Sequence, residues 1–128
     1  MCRMVAAESQ PIDDSDRQTQ LLRGALDMCL LALLAREPAH GYELVRRMET
    51  AGFGAISYGT IYPLLTRMRR LGLVAHEQQA SPTGPPRKVY ALTGSGRTHL
   101  DAWQKQWNHF ADTVGAVLDP LDHRPTRS

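Results

Sequence analysis

The segment SYGTIYPLLTRMRRLGLV, residues 57–74, constrains the fold more than any other part of this sequence. Its apolar residues recur at i, i+3, i+4, i+7 and i+10, which predicts a helix with one buried stripe. That stripe consists of Ile61, Leu64, Leu65, Met68 and Leu71. The opposite face is slim at its start, where Gly59 and Pro63 lie, and it becomes cationic towards its end.

Two helices are predicted before this segment, and a short glycine-containing turn joins the second of them to the third. Residues 21–36 are apolar almost all round, which favours one buried helix. Residues 40–52 form the second helix, and Gly52 lies where a helix stop is expected. Ser57 and Thr60 are both candidates for the N-cap of the third helix.

A β-hairpin is predicted after the third helix. Residues 73–79 and 87–93 suit strands, and the prolines and glycine of residues 80–86 predict a projecting loop between them. The second and third helices then form a helix-turn-helix, and the hairpin forms a wing. The predicted fold class is mainly α with a small β-hairpin (α+β), a winged helix-turn-helix.

The last helix, capped by Thr93 or Ser95 and expected to run to about Leu118, carries a regular a/d spacing. The residues concerned are Leu100, Trp103, Trp107, Phe110, Val114 and Val117. Steps of 3, 4, 3, 4 and 3 residues are typical of a coiled-coil seam. Packing on the first helix of the same chain is one alternative. The three-helix head is too small to cover three large aromatic side chains, which favours a homodimer interface.

The 128 residues are expected to form one folded unit with polar ends. Residues 1–19 are acidic and without period, which predicts a flexible arm. Residues 20–93 form the predicted winged helix-turn-helix, residues 94–118 the dimerisation helix, and residues 119–128 a loose tail.

The sequence favours a cytoplasmic protein with no membrane partner. No apolar segment is long enough to span a bilayer, and the N-terminal residues lack the apolar core of a signal peptide. Cys2 and Cys29 form no CxxC pair, so a reduced environment is the simplest interpretation.

Basic charge is concentrated in one third of the chain. Residues 57–100 hold six Lys and Arg against the single acid Glu77, which sums to +5, whereas the whole chain carries +2. Such a concentration indicates a polyanionic partner, and a merely solvated basic surface is the alternative.

The outer face of the third helix is predicted to enter the major groove of double-stranded DNA. That groove is only about 12 Å wide, so a slim leading face suits it, and hydroxyls and arginines suit bases and phosphates. The predicted contacts on this helix are Gly59, Thr60, Tyr62, Pro63, Thr66, Arg67, Arg69 and Arg70. Arg87 and Lys88 of the wing are predicted to contact the DNA backbone or the minor groove.

Two of these DNA contacts, Tyr62 and Arg67, have a structural alternative, and so does Tyr90 in the wing. Tyr62 is either a DNA contact or a packing aromatic. Arg67 either contacts DNA or forms an ion pair with Glu43 or Glu49 inside the fold. Tyr90, in the second strand, is either a core residue or a contact.

Other classes of function fit the sequence less well. The five histidines form no HExxH or paired metal spacing and no Ser/His/Asp arrangement stands out, so we expect no enzyme, no cofactor and no metal. Metal sensing across a dimer is a minor alternative. A winged helix that binds only proteins is a further alternative, but the cations on the third helix and wing favour DNA. A dimer predicts a two-fold operator with half-sites about 10 bp apart or a multiple of it.

Three blocks, LLRGALDMCLLALLAREPAHGYEL, SYGTIYPLLTRMRRLGLV and GPPRKVYALTGSGR, strongly resemble the PadR family of bacterial winged-helix transcriptional regulators. The resemblance covers about residues 20–118. The single short C-terminal helix is similar to that of the smaller branch of the family.

The resemblance implies a homodimeric repressor that leaves its operator when an effector binds. It extends the expected DNA contacts to Tyr58 in the third helix and Gly84 in the wing. In some relatives an aromatic residue of the C-terminal helix stacks on a flat ligand at the dimer centre. Trp103 and Trp107 match that location and are candidates for binding a small aromatic effector; the alternative is that both are only interface core.

Overall fold

The structure, a computed structural model, describes residues 14–122. The helices in this part are α1 (Asp14–Arg23), α2 (Leu26–Arg36), α3 (Gly41–Met48), α4 (Tyr58–Arg70) and α5 (Gly94–Asp122), with a π-helical turn at Glu49–Phe53. The strands are β1 (Ala39–His40), β2 (Val74–Ser81) and β3 (Gly84–Leu92). The predicted α+β winged helix-turn-helix fold is confirmed, and α5 follows it as the C-terminal helix.

The single helix predicted over residues 21–36 is wrong, because the chain turns at Gly24 between α1 and α2. The N–H of Ala25 donates to the carbonyl of Leu22 at 3.0 Å, which closes a tight turn. Glycine favours such a break because it loses more conformational freedom in a helix than other residues do.

The flexible arm predicted over residues 1–19 overlaps α1, which begins at Asp14. Residues 14–19 are therefore helical, and this part of the prediction is wrong. Acidic residues in a first helical turn favour the helix through its dipole, so the same acids that suggested an arm suit a helix start. Residues 1–13 lie outside the described part of the chain.

The last helix also extends beyond its predicted end at Leu118 and runs to Asp122, so the tail predicted over residues 119–128 begins later. The helix passes through Pro120, because a proline removes only one N–H and can kink a helix without ending it there. Residues 123–128 are not described.

No helix within residues 14–122 has the length and apolar character needed to cross a membrane.

One hydrophobic core joins the helices to the sheet. Its most deeply buried side chains are Leu30, Leu31, Leu44, Met48, Ile61, Leu65 and Val74. The predicted stripe of α4 is confirmed at Ile61, Leu65 and Met68, which are at most 2% exposed, and Leu64 is half-buried. Leu71 is exposed because it lies just past the last residue of α4. The buried stripe fixes which face of α4 remains outside.

The wing belongs to a three-stranded antiparallel sheet in the order β1-β3-β2. Strand β1 was not predicted. The predicted seven-residue loop over residues 80–86 is wrong, because β2 and β3 are joined directly at Pro82 and Thr83. Gln79 pairs with Arg87 and Ser81 with Gly84. Two prolines, residues 85–86, therefore lie opposite one residue of β2, in a β-bulge where a missing N–H is tolerated.

Local signals at the helix ends settle the cap positions. The Ser57 hydroxyl accepts a hydrogen bond from the Thr60 N–H at 3.2 Å, so Ser57 caps α4. The Thr93 hydroxyl accepts one from the Gly96 N–H at 2.9 Å, so Thr93 caps α5. Gly52 has φ = 111°, a conformation that confirms the predicted stop after α3.

We expect Gly96→Ala to destabilise the fold by about 2 kcal/mol, because the new methyl group would overpack a filled space. A Cβ at Gly96 would contact the Leu73 carbonyl oxygen and lie 2.6 Å from Cδ1 of Leu92. Gly115→Ala in the same helix is the matched control: its Cβ meets nothing within 4 Å. There alanine should stabilise the helix by about 0.5–1 kcal/mol. Urea unfolding measures both changes, and equal stability of the two variants would contradict this packing.

Candidate nucleic-acid interface

The helix-turn-helix is held at its start by an aromatic stack between α3 and α4. The rings of Tyr42 and Tyr58 lie 4.4 Å apart between centroids and 17° from parallel. Only glycine fits at residue 41, because a Cβ there would contact the Tyr58 ring and lie 3.1 Å from its hydroxyl oxygen. Partial burial raises the pKa of the Tyr58 hydroxyl, so this group stays protonated and can donate a hydrogen bond.

The face of α4 opposite the core is open, as the sequence predicts. Exposed residues on α4 include Gly59, Thr60, Tyr62, Pro63, Arg67, Arg69 and Arg70, and Thr66 and Tyr58 are half-buried. Tyr62 is 39% exposed, with its ring 5.6 Å from that of Tyr58. It therefore packs along one edge and leaves another free, which combines the two interpretations of this residue.

Among the described residues, Arg67, Arg69 and Arg70 of α4 form no ion pair with an acid of the fold. Within the part of the chain that the structure describes, the ion pairs involve Arg46 and Arg47 of α3. Glu43 lies 2.6 Å from Arg46 and 3.4 Å from Arg47. The alternative of an internal ion pair for Arg67 is therefore wrong, and its guanidinium is available to an external anion.

The wing lies beside α4 and adds cations to the same surface. Arg87 and Lys88 of β3 are exposed, and the Lys88 Nζ is 6.0 Å from the centre of the Tyr62 ring. Gly84 is exposed at the start of β3. Tyr90, in contrast, is 2% exposed, so the interpretation as a core residue is the right one.

A cleft of about 680 Å³ separates the wing from the helix-turn-helix. Its walls include His40, Tyr42, Arg46, Tyr58, Arg87 and Lys88. His40, Tyr42 and Arg46 were not predicted as functional residues. The signal for His40 was its place immediately before Gly41, at the start of α3, where a side chain that accepts a hydrogen bond is favoured. Nothing in the spacing of the sequence indicated that His40 would face Arg87.

The predicted seam on α5 divides into a buried and an exposed part. Leu100 is 6% exposed and Trp103 is half-buried, and both pack against the core of their own chain. Leu100 was predicted at the dimer interface, but this burial leaves it little surface for a second molecule. The rest of the seam is exposed: Trp107 43%, Phe110 58%, Val114 39% and Val117 70%. The alternative of packing within one chain therefore holds only for the first two positions.

A second cavity, of about 910 Å³, lies between α5 and the α1–α2 region. Its walls include Leu21, Met28, Cys29, Phe53, Trp103, Trp107 and Phe110. The two predicted effector-binding tryptophans thus line one space. Burial raises the pKa of the Cys29 thiol, which keeps it neutral in this mostly apolar wall.

Comparison with known proteins agrees with this architecture. The model of the Transcriptional regulator PadR-like family matches residues 30–102. A PadR-like transcriptional regulator of Bacillus cereus is 37% identical, with a TM-score of 0.70 over 77% of this chain and 96% of that one. A PadR family transcriptional regulator of Eggerthella lenta is 38% identical, with a TM-score of 0.76 over 83% of this chain and 92% of that one.

Among curated proteins, the transcriptional regulator YqjI of Escherichia coli is 32% identical over 102 residues. The match covers 78% of this chain and 47% of YqjI, so the present chain spans about half the length of that relative. The family model matches more than half of the chain, and the two structures above are more than 30% identical to it in sequence. The chain is therefore a member of the PadR-like family of DNA-binding transcriptional regulators.

Proposed function

We propose that the chain is a homodimeric repressor that binds a two-fold operator in double-stranded DNA and is released by a small aromatic effector. The observation that carries this proposal is the continuous outer surface of α4 and the wing. It is slim at one end, and at the other it bears cations that have no acid partner among the described ion pairs. The resemblance to the PadR family implies that this same surface contacts DNA.

The shape of α4 supports insertion into the major groove. Gly59 and Pro63 keep its leading face small, which suits a groove about 12 Å wide. Thr60, Tyr62 and Thr66 offer hydroxyls to base edges or to the backbone. Arg67, Arg69 and Arg70 are exposed and long enough to reach phosphates. Tyr58, which is half-buried and protonated, can donate to a phosphate at the helix start.

The wing supports a second set of contacts with the backbone or the minor groove. Gly84 removes bulk near its tip, and Arg87 and Lys88 supply charge beside α4. Contacts with the backbone position a protein on the duplex without reading its sequence, and contacts in the minor groove distinguish little more than A·T from G·C pairs. Sequence preference is therefore assigned to α4.

The exposed apolar face of α5 supports a homodimer. Trp107, Phe110, Val114 and Val117 form a row on a helix, and monomers seldom leave so much apolar surface in one patch. A two-fold dimer presents α4 twice, to half-sites about 10 bp apart or a multiple of it.

The cavity beside Trp103 and Trp107 supports an effector with a flat aromatic ring. A second chain packed on α5 would close its open side. Binding of a ligand there would alter the spacing of the two α4 helices and so weaken operator binding. The chain would act in the cytoplasm, where its DNA lies, and needs no cofactor in this scheme.

The salt dependence of duplex binding tests the DNA part of this proposal. We expect the affinity for a random duplex to fall steeply when the salt concentration is raised. Each phosphate that the protein neutralises contributes a slope of about −0.9 to a plot of log K against log salt concentration. A weak response with a flat salt dependence would contradict it and favour a winged helix that binds only proteins.

A further inference from the structure

We infer that His40 and Arg87 together form a site for one phosphate group of the DNA backbone, in the cleft between the wing and the helix-turn-helix. This inference rests on the proposed function, because it assigns one contact within the same DNA interface. It concerns His40 above all, a residue that caps a helix and lies outside the recognition helix.

The hydrogen bonds of His40 fix which ring nitrogen carries its proton. Nδ1 lies 3.2 Å from the backbone nitrogen of Glu43, whose N–H can only donate. Nδ1 must therefore accept, as the N-cap of α3, and in a neutral imidazole the proton is then on Nε2. The cap decides the tautomer.

That tautomer places two donors face to face. Nε2 of His40 lies 3.1 Å from Nη1 of Arg87, and a guanidinium has donors only. No hydrogen bond can form between Nε2–H and Nη1–H, so each group needs an acceptor from elsewhere. An oxygen atom or an anion placed beside both would accept from both at once, and a phosphate has the charge and the several oxygens to do so.

The surroundings keep His40 neutral and leave the site positive. Partial burial, and then the charge of Arg87, lower the pKa of His40 below its ordinary value. Of the acids nearby, Glu43 is already engaged by Arg46 and Arg47. Arg87 and Lys88 also line the cleft and have no acid partner among the described ion pairs, so the field there favours an anion.

The position of the cleft indicates that the anion comes from DNA. The cleft is lined by Tyr62 of α4 and Lys88 of the wing, which also belong to the exposed surface assigned to DNA. A duplex whose major groove holds α4 must pass its backbone beside the adjoining wing. A phosphate of that backbone is the anion that this arrangement offers to His40 and Arg87.

The test compares His40→Asn with wild type. Asparagine is among the best N-cap residues, so α3 should be retained, but its short side chain cannot carry a donor to the position of Nε2. We expect the affinity for duplexes of any sequence to fall roughly tenfold per chain, and so about a hundredfold for a dimer, since each chain loses a hydrogen bond to a charged group. Circular dichroism checks that the helix content is unchanged.

Arg87→Ala keeps the test decisive even if His40→Asn perturbs α3. It should lower affinity by a similar factor and reduce the salt slope by about one contact per chain. The double variant should lose less than the product of the two single effects, because both side chains hold the same phosphate. Lys105→Ala, on exposed α5, is the control for loss of one positive charge.

A scan with neutral methylphosphonates locates the phosphate directly. Wild type should lose affinity when one position in each half-site is neutralised, and His40→Asn should be indifferent to that position. If wild type binds duplex and both variants bind as well as it does, this phosphate site is overturned while DNA binding stands. In another outcome, inorganic phosphate competes with the duplex more strongly than chloride does at equal ionic strength, and no backbone position is sensitive to neutralisation. That result would assign the site to a free anion and overturn the DNA assignment. No duplex binding by wild type would overturn both proposals.

Discussion

Replacing Trp107 by alanine should raise the dissociation constant of the proposed homodimer by about a thousandfold. Trp107 is 43% exposed in the single chain, in the middle of the apolar row on α5. Removing its ring from an interface costs about 2 kcal/mol per copy, and a two-fold interface contains two copies. Because about 1.4 kcal/mol is a factor of ten, the sum corresponds to about three powers of ten.

Sedimentation equilibrium over a range of concentrations measures this change. Lys105→Ala is the matched control, because residue 105 lies on the opposite side of α5 from Trp107 and should leave the dimer intact. Trp103 is a poorer choice for this test, since its side chain packs against the core of its own chain and its loss would also lower fold stability. An unchanged dimer in Trp107→Ala would show that the exposed row of α5 is not the interface.

Replacing Arg70 by glutamate should lower the affinity for duplexes of every sequence by on the order of a hundredfold or more. A dimer loses two phosphate contacts, and at 0.1 M salt a slope of about −0.9 per contact already makes two contacts worth roughly sixtyfold. The new carboxylates then repel the backbone in addition. Arg70 lies at the exposed end of α4 without an acid partner among the described ion pairs, so the fold itself should be little affected.

Two controls separate charge from sequence preference. Lys105→Glu makes the same change of charge on α5 and should leave affinity nearly unchanged. Thr66→Ala, at a half-buried position on the outer face of α4, should alter the ranking among sequences with little loss on random DNA. Fluorescence anisotropy with one selected and one random duplex measures all three variants. Binding by Arg70→Glu at the wild-type level would mean that the outer face of α4 does not meet DNA.

The periodic parts of this sequence were enough to predict the central architecture. The α4 stripe at Ile61, Leu65 and Met68 is buried because three residues at this spacing can only face one side of a helix. The order of the elements predicted the wing, and the glycine at residue 52 predicted the helix stop after α3. Each of these signals is local and needs no knowledge of distant contacts.

The errors arose where tertiary contacts decide the outcome. The prolines at residues 85–86 argue against a strand when taken alone, but a bulge opposite β2 accommodates them. Leu100 has the spacing of an interface residue, yet its position in the first turns of α5 places it on the core of its own chain. His40 faces Arg87 only because β1 pairs with β3, and a two-residue strand leaves almost no pattern in a sequence.

We propose that a homodimer presents α4 and the wing twice to one DNA duplex. Sedimentation of the chain with a duplex selected from a random pool, at low ionic strength, tests it most directly. The account predicts a complex of two chains per duplex, on a site whose sequence repeats with inverted symmetry. A single chain on the duplex, or no duplex retained by the selection, would contradict it.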